Sequence, residues 1–393
     1  MGSYLDVQTK TLPSGRIMFG YNQLNQKIKN EFNSNGEYSN FSQNRSLQLK
    51  ANTLIKNDPV RAPVLSGLLQ SYGIKSNDDI GTYNLFLQGD LKADIFILGY
   101  GLTDRVGVFL TLPYLSWKTK MSSNFTKSEK YKNLLGALSD EGQLKATSDF
   151  NRGTEDGINY ALNQNGLGPH SLESDDSSIG DIQLNLKWIS LIDSHWTSSF
   201  DPFIVLPTSN EIDESKIVPL SAGDRRWALG FNHMLSYTQG PWETGFSYGL
   251  KYPLPATTKS RPVITGNTVS SDDSFKVDHQ IKLTGGETWY LHLNQSILLK
   301  DTLKFSLGSD FQKKQATFYR GDVFSSDEYR LMTNLSERQL LTGYMGFSYN
   351  TIDLFLKNKF MIPMQIALAM QWPLVGENTF SDSTLTSQIY FYF

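Results

Sequence analysis

Proton-transfer chemistry at neutral pH most often uses histidine, and the chain has five: His170, His195, His233, His279 and His292. A nucleophilic serine needs a base close enough to take its proton, and the spacing tested is a serine two residues beyond a histidine. No histidine here has one: His170 is followed at once by Ser171, and Ser236 stands three residues beyond His233. Catalysis is therefore not expected. Clustered carboxylates are the second chemical possibility, because hard divalent cations take several oxygen ligands. Asp175-Asp176, Asp272-Asp273 and the group Glu211, Asp213 and Glu214 lack an ordered calcium-loop spacing. They read as solvated loop charge, and no metal or cofactor is expected. Without cysteine there is neither a disulfide nor a thiolate metal site. A formal net charge of -3 argues against nucleic acid as a partner. Gly101 and Gly180 fall at strand ends, where turn geometry accounts for them.

The remaining polar chemistry lies on alternating strands. From Phe275 to Leu299 the odd positions are mostly apolar and the even positions polar, the pattern of an extended strand with one face in oil and the other in water. An ordinary strand has about 5 or 6 residues and a tilted strand crossing a bilayer about 9 to 11. The pattern predicts a membrane barrel wall that rises beyond the lipid. Trp289 to Leu299 would be the membrane half, Phe275 to Leu283 would stand outside, and Gly285-Gly286 at the join would mark a bend. On the same alternation Lys187, Glu243, Lys251, Lys276, Asp278, Lys282, Lys304, Asp310, Arg330 and Arg338 would project into the lumen. That lumen would carry both signs of charge. A kink at Gly285 and Gly286 would offer a lateral exit for a hydrophobic solute; ordinary barrel curvature explains the same pair.

Mean hydropathy is low at -0.35, and no apolar run approaches the roughly 18 residues of a spanning helix. A barrel hides half of each strand from lipid, so its signal is alternation rather than hydropathy. Aromatic residues at 12% suit the girdles of such barrels. The expected fold is all-β: one domain over 1–393, a transmembrane antiparallel β-barrel of about twelve strands. A strand at Arg45 to Ile55 would raise the count to fourteen. Long and short connections alternate, which places both termini in the periplasm and the long loops 24–80 and 119–178 outside. Short helices are expected in those loops. One follows Asp58-Pro59, with Val64 and Leu68 on its apolar stripe; another carries Leu134, Leu135 and Leu138. Such faces would capture a hydrophobic solute or pack as a lid. No signal peptide is visible, and Met1-Gly2-Ser3 has the form of an added start on a mature N-terminus.

The last residues, Gln388 to Phe393, place aromatic or apolar side chains at alternate positions. This resembles the C-terminal signature of bacterial outer-membrane proteins, which implies recognition by the barrel-assembly machinery through Phe393. Tyr100-Gly101-Leu102-Thr103-Asp104-Arg105 leading into Leu112-Pro113-Tyr114, Ile179-Gly180-Asp181-Ile182 with Lys187-Trp188, and Val205-Leu206-Pro207-Thr208 are similar to segments of one outer-membrane family. That family is linked to the meta-pathway of phenol degradation and is related to FadL-type hydrophobic-compound channels. The resemblance implies passive uptake of small hydrophobic or aromatic compounds through the outer membrane of a Gram-negative bacterium. Outer-membrane lipid and lipopolysaccharide would be its surroundings. The asparagine-proline-alanine hatch motif of FadL proteins is absent, so a plug of that kind is not implied. Two other readings stay open: a porin-like pore for hydrophilic solutes, and a surface structural or adhesion barrel whose loops bind a partner.

Overall fold

The structure, a computed structural model, describes residues 12–40, 46–52, 62–133, 173–211, 222–260, 278–299 and 302–393. Twelve strands form the wall: β1 (Ile17–Ile28), β2 (Asp79–Thr103), β3 (Val106–Lys127), β4 (Ile182–Ile192), β5 (Trp196–Leu206), β6 (Ala228–Gln239), β7 (Trp242–Pro253), β8 (Thr288–Leu299), β9 (Leu303–Lys314), β10 (Arg338–Asn350), β11 (Met364–Glu377) and β12 (Thr384–Tyr392). Each pairs antiparallel with its chain neighbours, and β12 pairs with β1 to close the ring, from Met18↔Tyr392 to Gln26↔Thr384. Among the described residues three helices are added, α1 (Ala62–Ser71), α2 (Ser326–Ser336) and α3 (Ile352–Leu356).

The alternation expected from the sequence sorts the two faces. On β8, Trp289, Leu291 and Leu293 are exposed on the outside while His292, Asn294 and Ser296 are buried. On β11, Ile366, Leu368 and Met370 face outward against Gln365, Ala367, Ala369 and Gln371. Trp188, Trp196 and Trp242 ring the short-turn end, and Trp227, Tyr252 and Trp289 the other. A wall strand of 12 residues such as β8, at about 3.3 Å per residue and about 45° of tilt, rises about 28 Å. That matches an apolar band of about 25 Å between two aromatic girdles. The chain is a β-barrel of the membrane-spanning kind.

Several boundaries differ from the sequence reading. β1 continues to Ile28 and β3 to Lys127, so the wall takes in the edges of the supposed loops 24–80 and 119–178. β2, with 25 residues, and β3, with 22, form a hairpin about twice the height of the other strands. Ser46–Lys50 is a strand, but it pairs only with the top of β2, at Leu47↔Tyr83, and does not enlarge the ring. The count is therefore twelve. Glu173–Ile179 lines the upper part of β3 in the same way. Residues 326–336, which include Arg330 of the expected lumen set, form α2 instead. Ser325 Oγ accepts from Glu328 N while the Glu328 side chain returns to Ser325 N, a capping box that starts the helix.

The stretch Phe275 to Leu299 is not one strand. Gly285 and Gly286 adopt φ of +74° and +90°, a region L side chains rarely enter. Below them β8 belongs to the wall. Above them Asp278–Gly285 pairs with Ala256–Ser260 and Thr317–Arg320 in a separate three-stranded sheet. This sheet packs on α2 through its own core of Ile281, Leu283, Phe324, Tyr329 and Met332. Arg226, 4% exposed, fastens the break. Its guanidinium donates to Leu254 O at 2.9 Å, Gly285 O at 3.0 Å and Pro253 O at 3.3 Å. A Cβ on Gly286 would lie 2.4 Å from Thr317 Oγ1. Gly286→Ala should therefore cost more than the roughly 0.4–1 kcal/mol of ordinary glycine effects, read as a lowered temperature for loss of the folded band in heat-modifiability gels.

Candidate functional site: the barrel lumen

Inward-facing side chains enclose a cavity of about 430 Å³. Its wall has two unlike arcs. Where β1, β2, β3 and β12 meet, Met18, Leu24, Ile95, Ile97, Phe109 and Tyr390 make it the more apolar part, although Asn22, Gln26, Thr111 and Thr384 interrupt it. From β4 to β9 it is mainly polar, with Asn185, Lys187, Asp201, Lys251, His292 and Asp310, although Phe203 and Met234 interrupt it. Sequence reading found part of the charged arc and none of the apolar one. Ile95 to Leu98 is apolar at both parities, so nothing in the sequence says which face points inward.

Most of the lumen's charges are opposed locally. Lys187 Nζ lies 3.8 Å from Asp201 Oδ2, both side chains buried. His292 Nδ1 bonds Asp310 Oδ1, its Nε2 lies 3.2 Å from Tyr344 Oη, and Tyr344 donates to Asn294 Oδ1 at 2.8 Å. The His292 and Tyr344 rings stack at 5.3 Å. Lys304 pairs with Glu243 at 3.0 Å. Three acceptors on the cavity wall, Asn22 Oδ1, Asp201 Oδ1 and Asp310 Oδ2, have no hydrogen-bond partner among the described residues. Buried acceptors of this kind call for water or a solute donor.

Lys187, Lys251 and Asp310 thus line the cavity, and Glu243 and Lys304 pair on the inner parity of β7 and β9. The other members of the sequence set lie elsewhere. Asp278 is buried in the outer sheet, bonded to Tyr329, and Lys282 is exposed on that sheet. Arg330 lies on α2 beside Asp327, and Arg338 is exposed at the rim. For Asp278 and Lys282 the reason is the departure of the chain at Gly285-Gly286, above which alternation no longer refers to the barrel, and for Arg330 it is the helix; Arg338 opens β10 on the parity of Leu340 and Thr342, which line the cavity, and so keeps its inward parity at the mouth. Lys276, Leu134, Leu135 and Leu138 lie outside the described residues. Val64 and Leu68 fall on α1, where Leu69 is buried. Of the acidic groups found by proximity, Asp175 pairs with Lys118 and Glu211 with Arg225 and Lys259; Asp213, Glu214, Asp272 and Asp273 lie outside the described residues.

Two features stand at the ends. At the short-turn end Leu12, 4% exposed, packs with Met18 and Tyr390 against Ile97 and Phe109. Glycine makes room for this segment: a Cβ on Gly101 would lie 2.1 Å from Pro13 O, and one on Gly99 3.0 Å from Leu12. At the other end Asp224 bridges Lys251 at 3.1 Å and Lys314 at 3.9 Å. Burial pushes the Asp224 carboxyl up, but Lys314 and Lys251 outweigh it and hold it well below the usual carboxylate range. Its side chain is 43% exposed, so water screens the pair and the gain is modest.

No protein-family model matches the chain, and no curated protein sequence does. Among solved structures, an outer-membrane channel from Pseudomonas putida F1 is similar over 99% of both chains, at 11% identity and a TM-score of 0.55. It shares the fold. The CymD monoaromatic hydrocarbon channel matches at 10% identity, covering 97% of this chain and 88% of its own, with a TM-score of 0.38. The P. putida toluene transporter TodX matches at 8% identity, over 97% and 90%, with a TM-score of 0.34.

Because the folded pKa of Asp224 is depressed, its contribution to stability is complete above the unfolded value near 4 and fades as pH falls toward the folded one. Asp224→Asn should lower the melting temperature at pH 7, and the gap to wild type should narrow steadily below about pH 4. Thermal melts across that range measure it.

Proposed function

We propose that the chain is an outer-membrane channel for passive uptake of small hydrophobic or aromatic compounds, with its short turns and both ends of the barrel sheet in the periplasm. The observation that carries this reading is the apolar arc of Met18, Leu24, Ile95, Ile97 and Phe109 inside a barrel. A pore for small ions gains nothing from such a surface, whereas a solute with little hydration is held by it. The shared fold with an outer-membrane channel supports the setting. A solute would enter from the rim beside the outer sheet and α2, where Gly285-Gly286 breaks the wall, and slide along the apolar arc. Capture by the apolar faces of loop helices, Val64 and Leu68 among them, belongs to this proposal. So does recognition of the closing strand and Phe393 by the barrel-assembly machinery, supported by the exposed Phe393 side chain.

The polar arc favours a second reading, a narrow pore for hydrophilic solutes. Two measurements separate them. Cells producing the protein should take up labelled toluene several-fold faster than cells lacking it, and Phe109→Asp with Ile97→Asp should remove most of the difference. Equal uptake with and without the protein would refute the hydrophobic channel. In planar bilayers the intact protein should conduct ions poorly, and removing residues 1–13, with Leu12 among them, should raise conductance severalfold. A large steady conductance of the intact protein would favour the porin.

A further inference from the structure

Four connections at the short-turn end are tight, but the one between β10 and β11 contains α3 and runs from Thr351 to Pro363. It is a built element. Thr351, fully buried, donates from Oγ1 to Ile362 O at 2.7 Å and accepts from Met364 N at 2.9 Å. One threonine thereby fastens both ends of the loop. Inside it, Phe355 N bonds Thr351 O at 2.8 Å, Lys359 N bonds Leu354 O at 2.8 Å, and Asn358 turns the chain at a φ of +53°. The fold so fixed does not bury its apolar residues. Met361 is 91% exposed and Leu356 70%, with Phe355, Phe360 and Ile362 exposed beside them. Lys357 and Lys359 are exposed between them, against the single acid of the segment, Asp353.

A soluble protein rarely holds so many large apolar side chains outward in an ordered loop. Here the patch continues another surface. Ile362 runs on to the outward row Ile366, Leu368 and Met370 of β11. Tyr392 N bonds Pro363 O at 3.1 Å, and Phe393 and Ile17 exchange backbone hydrogen bonds, which sets the exposed Phe393 and Ile17 close by. Apolar side chains continuous with the lipid-facing belt, with lysines set among them, have the composition of an interfacial anchor.

We propose that the Thr351–Pro363 loop is a membrane anchor, which dips Leu356, Phe360, Met361 and Ile362 into the periplasmic leaflet and sets Lys357 and Lys359 against anionic phospholipid headgroups. The inference rests on the reading of the chain as an outer-membrane barrel. Each nearby Lys offers about 1 kcal/mol of attraction to an anionic surface, or about fivefold in local lipid preference.

The absence of native cysteine allows a single spin label at Met361→Cys, with Leu368→Cys on the belt as control. In phosphatidylethanolamine and phosphatidylglycerol liposomes both labels should be accessible to oxygen and shielded from an aqueous nickel chelate. Lys357→Glu with Lys359→Glu should make the 361 label shallower in those liposomes and leave it unchanged in phosphatidylcholine. A 361 label open to the chelate while the 368 label stays shielded would overturn the anchor and leave the barrel intact. Chelate access at both positions would instead overturn the barrel reading. Unchanged depth on charge reversal would overturn the headgroup contact. A 361 label that is aqueous in liposomes but protected in cell envelopes would assign the loop to a protein partner, and also overturn the proposal.

Discussion

Every backbone amide that faces hydrocarbon must find its partner within the protein, because lipid offers none. The ring from β1 round to β12 meets that demand through β1–β12 pairing, and its other properties follow from it. Closure fixes which face of each strand is wet. It forces alternation on every segment, and it confines irregular backbone to levels above or below the belt. The break at Gly285-Gly286, the long β2–β3 hairpin and the stapled loop after β10 all lie where water or headgroups can satisfy what the ladder leaves open.

Within the ring the same constraint shapes the lumen. Half of every strand must point inward, so the interior is decided by which residues the inward parity happens to carry. In β1 to β3 that parity carries Met18, Leu24, Ile97 and Phe109; in β4 to β9 it carries Lys187, Asp201, His292 and Asp310. Charges placed there are expensive unless paired or hydrogen-bonded, which the Lys187–Asp201 ion pair and the His292–Asp310 hydrogen bond provide. The result is one compartment with an oily side and a wet side.

Most of the wall was legible in the sequence because a period of two leaves little freedom. β8 and β11 could be assigned from parity, and the count of twelve followed. Three things were hidden for physical reasons. Alternation in Leu331 and Leu335 is compatible with either a strand or a short helix, and only the Ser325 and Glu328 cap decides for α2. Parity loses its reference once the chain leaves the wall, so Asp278 and Lys282 were assigned to a lumen they do not reach. Where apolar residues occupy both faces, as in β2, periodicity cannot say which side is inside. The Leu12 segment carries no motif at all; its place is written in Gly99 and Gly101, whose missing side chains make the space.

Arg226 sets a boundary of another sort. One planar guanidinium reaches three carbonyls at the level where β7 and β8 leave the ring, a fork that lysine cannot reproduce. The outer sheet and α2 have a core of their own and meet the barrel through that line. A change of packing in that lobe is thereby insulated from the register of the wall, because the lobe's core shares no residue with the ring and the guanidinium holds the carbonyls at the seam.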